Sequence, residues 1–162
     1  MRPVPRALAR ILSLAAVAAA CGPIQGGTQM PNPARTTDRV EARQSYEVGP
    51  NKENHRFEAA FEGWTPGAVR FAIRLKHPDA CADPASYELT LTDDGGRSAP
   101  FVPASQPVRA TARGSGGAAL QDVTVTGTFA LAVGKETRWV ELRLRPRDPF
   151  CKEVRFRWDL TP

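Results

Sequence analysis

Strict alternation of apolar and polar side chains is the feature that most constrains how this chain can fold. The alternation is clearest at residues 69–75 (VRFAIRL) and at residues 154–160 (VRFRWDL). A period of two places alternate side chains on opposite faces of a strand. These segments therefore predict strands with one buried face and one wet face, which is typical of antiparallel sheets.

The alternating segments recur at intervals of about ten residues and are separated by turn signals. Two examples of such signals are residues 93–96 (DDGG) and residues 114–117 (GSGG). The pattern predicts seven to nine short strands and no helix between residues 45 and 162. We expect an all-β domain, an antiparallel β-sandwich of immunoglobulin-like or fibronectin-like architecture. A small β-barrel is the alternative.

The first twenty residues have the composition of an export signal. Arg2, Arg6 and Arg10 precede the uninterrupted apolar run at residues 11–20 (ILSLAAVAAA) and give a positively charged start. A helix that spans a bilayer needs about 20 apolar residues, so this run is too short to be a membrane anchor. Residues 1–20 are therefore predicted to be a signal peptide that is removed on export.

Residues 17–21 (VAAAC) resemble the lipobox of bacterial lipoproteins, with alanine at the position where leucine is commonest. The resemblance implies cleavage before Cys21 and attachment of fatty acyl chains to that cysteine. In Gram-negative members of the family, an aspartate after the cysteine commonly means retention in the inner membrane. Gly22 stands there instead, which implies the outer membrane where the cell has one. Ordinary signal cleavage after Ala20 is the alternative.

Residues 21–44 contain several prolines and glycines and few large apolar residues. Such a composition favours an extended or disordered chain. The sequence therefore predicts three parts: a signal peptide at 1–20, a lipidated flexible tether at 21–44 and a β domain at 45–162.

The net charge of +5 does not indicate a nucleic-acid partner. Three of the 22 basic residues lie in the predicted signal, which leaves 19 basic against 17 acidic residues in the exported chain. An exported chain with nearly balanced charge lacks the electrostatic footprint of a nucleic-acid-binding protein.

The number of cysteines is consistent with export to an oxidising compartment. If Cys21 carries lipid, Cys81 and Cys151 remain as a pair. Export places them where disulfides persist, so we expect a bond between them. Two separate buried thiols are the alternative.

Signals for catalysis or metal binding are weak. His55 and His77 stand in no metal-ligand spacing, and Ser115 lacks the first glycine of a nucleophile elbow. We expect a protein that is not an enzyme and that holds no metal or cofactor.

One set of residues suggests a binding face. If the last two predicted strands form a hairpin, their outward residues include a tryptophan and four arginines: Trp139, Arg143, Arg145, Arg155 and Arg157. Tryptophan and arginine are enriched at binding hot spots. The alternative is a solvated face whose arginines pair across strands with the acidic side chains of Glu141, Glu153 and Asp159.

These observations predict a lipid-anchored, non-catalytic protein of the cell envelope. Its β domain would serve as an interaction or assembly module for another envelope protein, and the acyl chains would hold it on the membrane. The alternative is a domain that binds a small ligand or acts as an inhibitor, through turns such as residues 63–67 or 114–117.

Overall fold

The computed structural model describes residues 27–37, 39–47 and 55–162. Ten strands form in these ranges, and the only helical segments there are three short 3₁₀ turns. The all-β prediction is confirmed. The strands are β1 (Gly27–Pro31), β2 (Ala42–Glu47), β3 (Arg56–Thr65), β4 (Ala68–His77), β5 (Tyr87–Asp93), β6 (Ser98–Pro103), β7 (Val108–Arg113), β8 (Ala119–Phe129), β9 (Trp139–Pro146) and β10 (Val154–Thr161).

The strands form two facing layers that share one strand. The first layer has the order β1-β10-β9-β5-β6, and the second has the order β6-β8-β4-β3-β2, with β7 also paired to β8. All pairs are antiparallel except β1 with β10. The layers approach each other again at the opposite edge, where the Gln44 side-chain amide donates to the carbonyl of Arg157. The arrangement fits both a sandwich and a small, nearly closed barrel.

The shared strand, β6, changes partners halfway along its length. Its first half pairs with Thr90–Thr92 of β5, and its second half pairs with β8. The crossing is close, because a Cβ added at Gly127 would lie 2.5 Å from the ring of Phe101 and would also collide with the carbonyl of Val102. The absence of a side chain at Gly127 therefore allows β6 to approach β8 closely.

Inward-facing side chains of both layers fill the space between them. Trp158 of β10 is fully buried against Phe71 of β4, with ring centroids 5.0 Å apart. Phe129 packs on Phe71 edge to face at 5.9 Å. Aromatic pairs of this kind contribute about 0.5–1.5 kcal/mol beyond the area they bury. The residues predicted to point inward in β4 and β10 do so, which confirms the alternation.

The prediction of a flexible tether at residues 21–44 is wrong from Gly27 onward. Gly27–Pro31 forms β1 and pairs with β10. Met30 and Val40 are buried, with 3% and 9% of their surface exposed. A strand was missed here because its partner lies about 130 residues away in the chain, and its own composition (GTQMP) favours a turn. The predicted signal peptide and Cys21 lie outside the described residues.

Candidate functional site

The predicted disulfide is present. The sulfur atoms of Cys81 and Cys151 are 2.15 Å apart, and the bond spans 70 residues of sequence. Cys81 lies in the 3₁₀ turn Ala80–Ala82 that follows β4, and Cys151 lies in the turn between β9 and β10. The bond thus ties the turn of the last hairpin to the segment that leads into β5.

The structure also assembles the predicted arginine face. The last two strands pair as a hairpin, with Arg155 opposite Arg143 and Arg157 opposite Glu141. Arg145 is opposite Glu88 on β5, the next strand of the layer. All five predicted residues therefore lie on the outer surface of one sheet; we call them, with their acidic neighbours, the arginine face.

Acidic neighbours neutralise this face. Glu153 accepts hydrogen bonds from Arg143 and Arg155, both at 2.7 Å. Arg157 binds Asp159 at 3.0 Å. The hydrogen bond from Arg143 lowers the pKa of the Glu153 carboxyl, and the same bond raises the pKa of the Arg143 guanidinium.

The aromatic part of the arginine face is covered as well. The guanidinium carbon of Arg157 lies 4.5 Å from the centre of the Trp139 ring.

Four arginines face four carboxylates here, so the surface has no net charge to attract an acidic polymer. The carboxylates are those of Glu88, Glu141, Glu153 and Asp159.

A second polar cluster, on the outer face of the other layer, was not predicted. Glu58 is buried, and its carboxylate lies 3.2 Å from Arg56 and 3.5 Å from Arg74. Arg74 also binds both oxygens of Asp122. The hydrogen bond to Asp122 is the main reason that the pKa of Arg74 is raised. These charges satisfy one another across neighbouring strands, which is how a sheet face is stabilised.

The two histidines come together, which the sequence did not indicate. The rings of His55 and His77 stack with centroids 4.2 Å apart, and His77 Nδ1 is 2.6 Å from an Asp79 carboxylate oxygen. Burial is the main reason that the pKa of His77 is lowered. The Cys81 sulfur also lies close, within the 4.8 Å that spans the three ligand atoms, but it is held in the disulfide. We therefore assign no metal ion to this cluster.

A different region of the molecule is left open. β6 leaves β5 after Pro100 and crosses to β8, so Tyr87–Leu89 of β5 has no strand beside it on that side. On the opposite wall, β7 pairs only with β8 and is exposed along most of its length. Two strand edges therefore face each other across a gap, which we call the β5–β7 groove.

The β5–β7 groove has a volume of about 500 Å³ and is mostly apolar. The side chains of Leu89, Phe101 and Val125 line it, and Val125 also belongs to the core. Four prolines border it: Pro84, Pro100, Pro103 and Pro107. Because proline carries no N–H, these residues leave few unsatisfied donors around the opening.

One ion pair bridges the two walls of the groove. Arg109 of β7 donates to Asp83, which stands just before β5, at 2.9 Å. Partial burial acts to raise the pKa of Asp83, but hydrogen bonds from the Ala85 amide and from Arg109 outweigh it and leave the pKa lowered. Both partners of the pair are partly exposed to solvent. The groove therefore has an apolar floor and a polar contact at its rim.

No helix in residues 27–37, 39–47 and 55–162 is long and apolar enough to cross a membrane. Comparisons with protein-family models, with curated proteins and with solved structures found no match to this chain.

Proposed function

We propose that this protein is a lipid-anchored, non-catalytic interaction module of the cell envelope, and that it binds an extended segment of a partner protein in the β5–β7 groove. The observation that carries the proposal is the pair of open strand edges beside an apolar floor. The arginine face predicted from sequence is not the preferred site, because three of its four arginines are already in ion pairs with Glu141, Glu153 or Asp159.

An open strand edge is a natural binding site for an extended peptide. Its unpaired backbone groups can form ladder hydrogen bonds with an added strand, and pockets beside it select alternate side chains. In the β5–β7 groove, Glu88 and Leu89 supply such an edge, whereas the Tyr87 amide already donates to the Pro84 carbonyl. Leu89 and Phe101 supply the apolar surface below it.

The anchor supports the envelope part of the proposal. Residues 17–21 resemble a lipobox, and Cys21 is only six residues before Gly27, the first residue of β1. A single acyl chain holds a protein on a membrane only marginally, whereas two or more hold it stably. Acylation of Cys21 by several chains would keep the groove close to other envelope proteins.

In-cell crosslinking of the tagged full chain, followed by mass spectrometry, tests the proposal. We expect a reproducible envelope partner that is lost with Cys21→Ser, together with an N-terminal peptide that carries acyl chains on Cys21. If the chain is not acylated but captures the same partner, the proposed lipid anchor is refuted. The proposal that the partner binds in the groove is not affected by that result.

A matched pair of variants tests the groove itself. Pro103→Glu places a charge on its wall, whereas Ser105→Glu places one on an exposed residue that does not line it. We expect capture to fall with Pro103→Glu and to persist with Ser105→Glu. Both variants must retain the Cys81–Cys151 disulfide as evidence of folding. Equal capture by both would exclude the groove as the site.

A small ligand in the same groove is the second candidate. Its volume lies within the range of about 300–1,000 Å³ that is typical of ligand sites, and Asp83 and Arg109 offer polar contacts at its rim. Native mass spectrometry of protein purified from its own membrane distinguishes the two candidates. A co-purifying metabolite that Pro103→Glu removes favours the small ligand.

A further inference from the structure

The turn between β9 and β10 exposes a large aromatic side chain. Phe150 has 91% of its surface exposed, more than Val108 at 69% or Val102 at 55%, the other large apolar side chains that the described chain exposes. Water contact with so much apolar surface is unfavourable unless something covers it. The turn is therefore a candidate contact surface.

The structure holds this turn in shape. The Phe150 amide donates to the Asp148 side chain at 2.9 Å, and the Cys151 amide donates to the Asp148 carbonyl at 3.1 Å. Cys151 is in turn fixed by its disulfide to Cys81. Phe150 is thus presented outward by a braced turn.

Basic residues flank Phe150 in the sequence. Arg145, Arg147 and Lys152 are all exposed, and Asp148 is the only acidic residue between positions 145 and 152. We call residues 145–152 the basic turn. Arg145 belongs to both surfaces and lies opposite Glu88. Arg147, Asp148 and Lys152 give the rest of the turn a net charge of +1, which complements a surface of anionic phosphate groups.

The basic turn lies at the end of the sheet at which β1 begins. β1 runs parallel to β10, with Gly27 level with Arg157. The chain therefore enters β1 from the end of β10 where the turn between β9 and β10 lies. The six residues from Cys21 to Gly27 can span at most about 20 Å when fully extended.

We propose that the basic turn rests on the membrane to which Cys21 is anchored, with Phe150 inserted at the level of the lipid headgroups and Arg145, Arg147 and Lys152 on their phosphates. This inference rests on the lipid anchor of the proposed function. An exposed aromatic side chain among cations is the composition that binds such interfaces.

Photocrosslinking in membranes tests the inference. The full chain is produced in a bacterial host with p-benzoylphenylalanine at Phe150 and, as the control, at Val108, which lies on β7 away from the turn. After irradiation, mass spectrometry measures phospholipid adducts. We expect at least about ten times more adduct at position 150, because only that side chain would lie within the headgroup layer.

Charge variants add a second readout. In the Phe150-labelled chain, Lys152→Gln should lower the yield of lipid adduct. Lys135→Gln should leave it unchanged, because Lys135 precedes β9 and the basic turn follows it, at opposite ends of that strand. Equal effects of the two substitutions would argue against contact between the turn and phosphate groups.

The outcomes separate this inference from the anchor. An acylated, membrane-bound chain without lipid adduct at position 150 overturns the inference and leaves the anchor standing. A protein adduct at position 150 also overturns it, in favour of a protein contact. A chain without acyl groups on Cys21 overturns the anchor and this inference together.

Discussion

The arginine face and the β5–β7 groove lie on neighbouring parts of one sheet, yet they differ in how their bonding capacity is used. On the face, Arg143 and Arg155 share Glu153, and Arg157 covers the Trp139 ring. In the groove, Tyr87–Leu89 leaves a strand edge without a neighbour above apolar side chains.

The difference shows that residue types alone do not locate a binding surface. Arginine and tryptophan are enriched at hot spots, but only where a partner can complete their contacts. On the arginine face, acidic side chains of the protein already bind three of the four arginines, and Arg157 covers the Trp139 ring. The groove contains few residue types that indicate a binding site from sequence alone. It forms because β6 pairs first with β5 and then with β8, which leaves part of β5 without a neighbouring strand.

The largest effect we expect is from removing the disulfide, which links the turn of the last hairpin to the segment before β5 whose Pro84 borders the groove. Replacing both Cys81 and Cys151 by serine should lower the free energy of unfolding by about 4 kcal/mol, since the bond closes a 70-residue loop. Urea denaturation measures the change. Cys21→Ser serves as the control and should leave the unfolding curve in place. A loss below about 1 kcal/mol would mean that the two regions are held together without the bond.

A smaller loss is expected when the crossing of β6 is disturbed. A Cβ at position 127 would collide with the Phe101 ring and the Val102 carbonyl. Gly127→Ala should therefore cost about 1–3 kcal/mol and weaken partner capture in the groove, with the arginine face unaffected. Gly134→Ala is the control, because its Cβ would meet only the Thr137 hydroxyl at 3.9 Å. Comparable thermal stability of the two variants would show that β6 has room to move.

On the arginine face, Glu153→Gln should cost about 1–2 kcal/mol, because it leaves Arg143 and Arg155 directly opposite each other. Glu136→Gln, at an almost fully exposed residue paired with Arg35 at 3.6 Å, should change stability little. Urea denaturation at neutral pH measures both. If the Glu153 variant is as stable as the wild type, the face is not neutralised by that residue.

The same variant has a pH signature. The bond from Arg143 lowers the pKa of Glu153 below its ordinary value of 4.5. Its contribution to stability is therefore complete above that value and disappears as the pH falls through the lowered pKa. The difference between wild type and Glu153→Gln should shrink in acid. A difference that stays constant with pH would trace the effect to packing.

The smallest effect is expected at the rim of the groove. A double-mutant cycle with Arg109→Ala and Asp83→Asn should give a coupling energy below about 1 kcal/mol, because both partners are partly exposed. Asparagine at position 83 retains an oxygen that can accept from the Ala85 amide. A coupling energy above about 2 kcal/mol would mean that the ion pair contributes substantially to folding stability. The two walls of the groove would then be held together, and the groove would not be open to a partner.

Much of the fold could be predicted from the sequence, because the alternation that places Phe71 and Trp158 inward is local. The Cys81–Cys151 bond was predictable from the cysteine count, together with the resemblance of residues 1–20 to an export signal. β1 was not, because Gly27–Pro31 becomes a strand only by pairing with β10 at the far end of the chain. Local composition cannot report such a partner.

The candidate site was harder to predict than the fold. The hairpin that assembles the arginine face was predictable from two alternating segments and a turn. The β5–β7 groove was not, because it exists only where β6 pairs with β5 over one half and with β8 over the other. The two prolines of β6, Pro100 and Pro103, were the available signal, since proline is confined to strand edges and irregular positions.

The parallel pairing of β1 with β10 has a mechanical consequence. A pull on the chain ahead of Gly27, directed along the strand, loads all five residue pairs of this ladder at once, in shear, rather than peeling them apart singly. The far end of β1 is clamped as well, because the Asn32 side-chain amide donates to the carbonyls of Gly134 and Thr137, both at 3.1 Å. A domain held by its N-terminus would thus resist pulling, because several hydrogen bonds would have to break at the same time.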